Sequence, residues 1–130
     1  MNYKANYSFF NRLLLAIQGI FLAIKRERHM KIHLLFSLAL LLPLIWIEVG
    51  VLNIWLLIIL ITLLIVTELI NTAIEITIDM ISKKFSYRAK LAKDISSGSV
   101  LIIASLVLMF GIYIYAPSFI TISRSYLLGN

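Results

Sequence analysis

The 130-residue sequence has no cysteine, which excludes a disulfide framework and any thiolate metal site. It has only two prolines and five glycines, with no low-complexity stretch and no repeat, so nothing in it reads as a linker. A single domain over residues 1–130 is expected. Charged residues make up only 14% of the chain, and Asp, Glu, Lys and Arg are missing altogether from residues 32–47, 49–67 and 95–123. Such runs exclude a soluble globular domain, because a chain of this length has no interior large enough to hide them.

What is present is apolar side chain. The sequence is 62% hydrophobic with a mean hydropathy of +1.00, the composition of an integral membrane protein. A membrane-spanning helix needs roughly 20 mostly apolar residues, and the three charge-free runs predict spans at about residues 32–48, 51–80 and 95–117, the first one short. Ahead of them, residues 13–24 lie between Arg12 and Lys25 and look like a signal-peptide core. No small-x-small cleavage site follows, however, and Arg26, Glu27, Arg28 and Lys31 come instead. The segment reads as an amphipathic interfacial helix at about residues 7–29, with Phe9, Phe10, Leu13, Leu14, Ile17, Ile20, Phe21 and Ile24 on its lipid side. The fold class is therefore all-α integral membrane: three transmembrane helices and an N-terminal surface helix.

Basic residues fix the expected orientation. Lys25, Arg26, Arg28 and Lys31 precede the first span, and Lys83, Lys84, Arg88, Lys90 and Lys93 lie between the second and third, while the connection around Glu48 has none. The positive-inside rule puts the N-terminus and the second connection in the cytoplasm. The net charge of +6 belongs to these membrane-flanking positions and serves topology and anionic headgroups, so no nucleic-acid partner is expected. Trp46 and Trp55 read as interfacial anchors. Ser96, Ser97, Gly98 and Ser99 read as small residues that allow close helix packing, with approach to nucleotide or lipid as the alternative use.

The second span ends in a polar stretch, TELINTAIEITID, residues 67–79. At about 100° per residue, Glu68, Asn71, Glu75 and Asp79 share one face of the helix, within about 80°. Three of the six acids of the chain thus form one stripe. A carboxylate near the membrane costs about 2.5 to 3.5 kcal/mol, and neighbouring ones repel, so the stripe calls for a cation. Glu27 and Asp94 lie on the same side of the membrane. Hard oxygen ligands in this number suit Mg²⁺, which takes one or two carboxylates together with waters and substrate phosphates, and lysines suit a nucleoside triphosphate. A small oligomeric ion channel or transporter is the alternative of another class. Against it, residues 56–66 offer only Thr62 as a polar group.

The pattern E-x-x-N-[ST]-A-I-E-x-x-x-D in ELINTAIEITID, followed by a short basic connection and AKDISSGSVLI, resembles the bacterial membrane diacylglycerol kinase and undecaprenol kinase family over about residues 10–115. The stretch AIQGIFLAIKRERHMKIH is similar to the Gram-positive undecaprenol kinase branch. The resemblance implies a homotrimeric lipid kinase of the bacterial cell membrane, its sites shared between protomers and facing the cytoplasm, using ATP and Mg²⁺ to phosphorylate undecaprenol or, alternatively, diacylglycerol.

Residue by residue, the resemblance implies Glu68 as general base and lipid contact, Glu75 and Glu27 as metal ligands at the nucleotide, and Asn71 as a positioning group. It implies Asp79, Lys93 and Asp94 as nucleotide contacts. Ser97 is a further candidate lipid contact. His29 and His33 receive no role, and His33 is expected to be an interfacial residue with a satisfied hydrogen bond. The chain has neither G-x-x-x-x-G-K-[ST] nor the H-R-D and D-F-G elements of protein kinases, yet phosphoryl transfer chiefly needs positioning and charge neutralisation.

Overall fold

The computed structural model describes residues 8–82 and 86–128. Tyr7, the expected start of the interfacial helix, and the basic residues Lys83 and Lys84 lie outside the described residues. The first helix, α1 (Phe9–Arg26), buries none of its residues. Phe9, Phe10, Leu13, Ile17, Ile20 and Phe21 are all exposed, as suits a helix lying along a lipid surface. Lys25 and Arg26 occupy its last turn, where cations complement the carbonyl end of the helix dipole. At Glu27 the backbone becomes extended (φ -90°, ψ 126°), and α2 (Arg28–Leu41) starts at the next residue. One extended residue therefore separates the N-terminal helix from α2, and the N-terminal helix stops three residues short of position 29.

The 14 residues of α2 rise only about 21 Å, less than the roughly 30 Å of a hydrocarbon core. A 3₁₀ turn, Leu42–Ile45, extends it. Pro43 in that turn has no N–H to continue the α-helical ladder, and its carbonyl accepts from the Trp46 and Ile47 amides at 3.0 Å each. Helix α3 (Val51–Ile81) has 31 residues, about 46 Å at 1.5 Å per residue, so its last turns must leave the apolar layer. Helix α4 (Tyr87–Leu128) has 42 residues and carries Pro117 inside it. It begins eight residues ahead of position 95 because YRAKLAKD is built of good helix formers, and it continues past position 117. Among the described residues, three segments are long and apolar enough to cross a membrane: Arg28–Ile45, Val51–Ile81 and Tyr87–Thr121.

The core is the seam between α3 and α4. Leu57, Ile61 and Leu64 pack with Val100, Val107, Ile114 and Tyr115. Spacings of four, three and seven residues keep one line of each helix facing the other, as in a coiled coil. From α2, Phe36, Leu40 and Leu41 close the third side. The Tyr115 hydroxyl donates to the Leu40 carbonyl, one of the last-turn carbonyls that α2 cannot satisfy itself. At Gly111 the Leu40 side chain fills the space a Cβ would need, since a Cβ there would stand 2.8 Å from Leu40 Cδ2. Gly98, expected to permit close packing, has nothing within 4 Å of where its Cβ would be. Ser96 is the member of that small-residue group that is buried.

Candidate active site

The register of the apolar seam continues into the polar stretch of α3. Counting on from Leu57, Ile61 and Leu64 by four and three brings residues 68 and 71 to the same line. Glu68 and Asn71 are accordingly buried, 3% and 8% exposed, with Thr72 at 6%. Further along, Glu75 is half-buried and Asp79 is exposed. The stripe is thus a gradient, with its most enclosed carboxylate at Glu68.

Glu68, Asn71 and Glu75 line a cavity of about 260 Å³ together with His29 and His33 of α2 and Ser97 of α4. Val100, Leu101 and Ala104 form its apolar wall. The structure therefore brings the expected base, positioning residue, one expected metal ligand and the candidate lipid contact Ser97 to one place. Asn71 Nδ2 donates to Glu75 Oε1 at 3.2 Å, which turns the amide carbonyl the other way. Asn71 Oδ1 is buried with no partner, and an unsatisfied polar atom costs about 1–3 kcal/mol. The Glu75 carboxylate and the Asn71 amide oxygen are hard donors of the kind a Mg²⁺ site uses, to which the protein contributes only one or two carboxylates.

Other expected site residues are placed apart. Glu27, at the bend between α1 and α2, lines a separate cavity of about 490 Å³ between α1 and α3, with Gly19, Ala23, Leu69, Thr72 and Ile76 among its walls. Arg26 Nε lies 3.7 Å from Glu27 Oε1. Glu27 and Glu75 therefore open into different spaces, and no group of three or more metal-ligating side chains occurs among the described residues. Asp79 and Lys93 hold each other across α3 and α4, with Lys93 Nζ donating to Asp79 Oδ1 at 2.5 Å. Asp94 is exposed.

Sequence reasoning gave His29 and His33 no part in the site. Both line its cavity, and His33 Nε2 is 3.9 Å from Glu68 Oε2. The signal was present in their spacing of four residues, which puts both on one face of a helix. The partner of that face was not legible.

Residues 14–115 match the family described as Prokaryotic diacylglycerol kinase. The chain is also similar to the undecaprenol kinase of Bacillus subtilis (strain 168), with 32% identity over 109 residues, 84% of this chain and 89% of that protein.

Proposed function

The chain belongs to the prokaryotic diacylglycerol kinase family and is a membrane lipid kinase, and from that premise we propose that it phosphorylates undecaprenol with ATP and Mg²⁺. The observation that carries the chemistry is Glu68, a carboxylate 3% exposed that shares a cavity with Asn71, Glu75 and Ser97. The choice of acceptor is supported by the similarity to an undecaprenol kinase.

Glu68 acts as the general base. The lipid hydroxyl oxygen attacks the γ-phosphorus and forms the new P–O bond, and its proton passes to the Glu68 carboxylate. The bond from the γ-phosphorus to the bridging oxygen breaks, its electron pair leaves with ADP, and undecaprenyl phosphate remains. A positioned base contributes about 10²- to 10⁴-fold to such a step. Val100, Leu101 and Ala104 keep one wall of the cavity apolar, which suits an acceptor whose hydroxyl carries a hydrocarbon chain. Glu75, with Asn71 bonded to it, would hold Mg²⁺, which would supply positive charge against the phosphate oxygens. Lys93 and Asp94 of α4 meet the nucleotide with Asp79, so the Lys93–Asp79 pair opens or is shared when phosphate arrives.

Glu27 supplies the second carboxylate. The proposed working form is the homotrimer that the family resemblance implies, with neighbouring subunits completing each site, a reading supported by the separate cavities of Glu27 and Glu75 in one chain. The N-terminus, the α3–α4 connection and the site face the cytoplasm, in accord with the basic residues there.

The test is transfer of labelled γ-phosphate from ATP to undecaprenol and to diacylglycerol in the same mixed micelles. Preference for undecaprenol is expected. Preference for diacylglycerol overturns the substrate assignment, and transfer to neither overturns the reaction. For shared sites, co-assembled Glu27→Gln and Glu75→Gln chains regain transfer that neither variant shows alone; no recovery rejects them.

A further inference from the structure

His33 remains unused by this reaction, yet it stands nearest to the base. Its side chain is 18% exposed and that of Glu68 is 4% exposed, with Nε2 and Oε2 3.9 Å apart. A carboxylate so enclosed is stable only if a partner compensates it. Among the described residues His33 is the side chain within ion-pair distance of it. His29 and Glu75 line the same cavity and Glu27 a separate one, and the α4 wall, Ser97, Val100, Leu101 and Ala104, carries no ionisable group.

Resting on Glu68 as the base, we infer that His33 is its positioning residue: Nε2–H holds Oε2 and leaves the other carboxylate oxygen for the lipid hydroxyl. Nε2 is a donor both in the neutral tautomer protonated there and in the imidazolium. The present separation exceeds a hydrogen bond, as catalytic contacts commonly do before substrate tightens them. The backbone of this turn is already fixed, because Ser37 Oγ donates to the His33 carbonyl at 2.7 Å. The ring's remaining adjustment is a side-chain rotation. The arrangement inverts the hydrolase triad, where a carboxylate orients a histidine base.

The experiment compares His33→Leu, His33→Gln, Glu68→Gln and the His33→Leu/Glu68→Gln double variant in full-length protein, with labelled-phosphate transfer as the readout. His33→Leu is expected to lower kcat by about 10- to 100-fold, the scale of losing an orienting partner, with KM for ATP unchanged. Gln keeps an N–H near the Nε2 position, so His33→Gln recovers most of that loss. In the Glu68→Gln background His33→Leu adds nothing, because residues acting as a unit are not additive. Wild-type kcat in His33→Leu, no recovery in His33→Gln, or losses that multiply in the double variant each overturn the inference. The two readings fail separately: full activity in Glu68→Gln removes the base itself, whereas an inactive Glu68→Gln beside a fully active His33→Leu removes only the partner.

Discussion

The α3–α4 seam has two ends built on one register and filled with opposite chemistry. Toward Gly50, Leu57, Ile61 and Leu64 meet Val107, Ile114 and Tyr115 in a dry core, with Leu57, Leu64 and Val107 fully buried. Toward Ser82, the same line carries Glu68 and Asn71, which share a cavity with Ser97 and Val100. In lipid, helices gain little from hiding apolar side chains, and packing contacts hold them together. The apolar end therefore contributes rigidity, and the polar end can keep open space and an unpaired Asn71 Oδ1 without loosening the pair. A mobile scaffold would not hold a base and a phosphate acceptor in one geometry, and misplacement by about 1 Å can cost about 10²-fold.

Substitutions at the two ends should separate rate from stability. The largest effect is expected at the polar end: Glu68→Gln lowers lipid phosphorylation by about 10²- to 10⁴-fold, while nucleotide binding measured by calorimetry persists. Unchanged transfer in that variant would break the contrast. At the apolar end, Leu64→Ala leaves a void at a fully buried position and lowers unfolding stability in detergent by about 2 kcal/mol. That is the lower end of the range for such changes, because lipid rather than water is the alternative environment. The rate per folded molecule stays within about two-fold, the scale of packing changes remote from a site.

Asn71→Ala bridges the two ends by removing both the amide that holds Glu75 and the open oxygen. It should raise the Mg²⁺ concentration needed for half-maximal rate by about 10-fold, as losses around a metal site do. An unchanged Mg²⁺ titration would sever Asn71 from the metal. Gly111→Ala forces the end of the Leu40 side chain to move from its 2.8 Å approach. A cost of about 1 kcal/mol in thermal unfolding is expected, the low end for overpacking. The smallest stability change is for Asp79→Asn, since an exposed ion pair contributes about 0.2–1 kcal/mol. Its effect should appear in KM for ATP instead, and an unchanged KM would leave the Lys93–Asp79 contact purely structural.

Much of this was legible before any coordinates. The charge-free runs specified three spans, because a bilayer demands length and apolarity of each segment by itself. The spacing of Glu68, Asn71, Glu75 and Asp79 specified a face, because a helix fixes angles between its own residues. Spacing did not specify which neighbour that face meets. It therefore missed that burial decreases from Glu68 to Asp79, that Lys93 pairs with Asp79, and that His33 reaches Glu68. It also did not single out Gly111, which only the Leu40 side chain of α2 distinguishes from Gly98.

The sequence by itself determined a helical membrane protein with an acidic stripe on its second span, because periodicity and hydropathy act within one element, and only the motif's resemblance to a kinase family attached a chemistry to that stripe. Tertiary structure decided how far each acid is buried, the separation of Glu27 from Glu75 into two cavities, and the approach of His33 to Glu68. Those depend on how one helix is rotated and offset against another, and that is fixed by contacts between residues far apart in the chain.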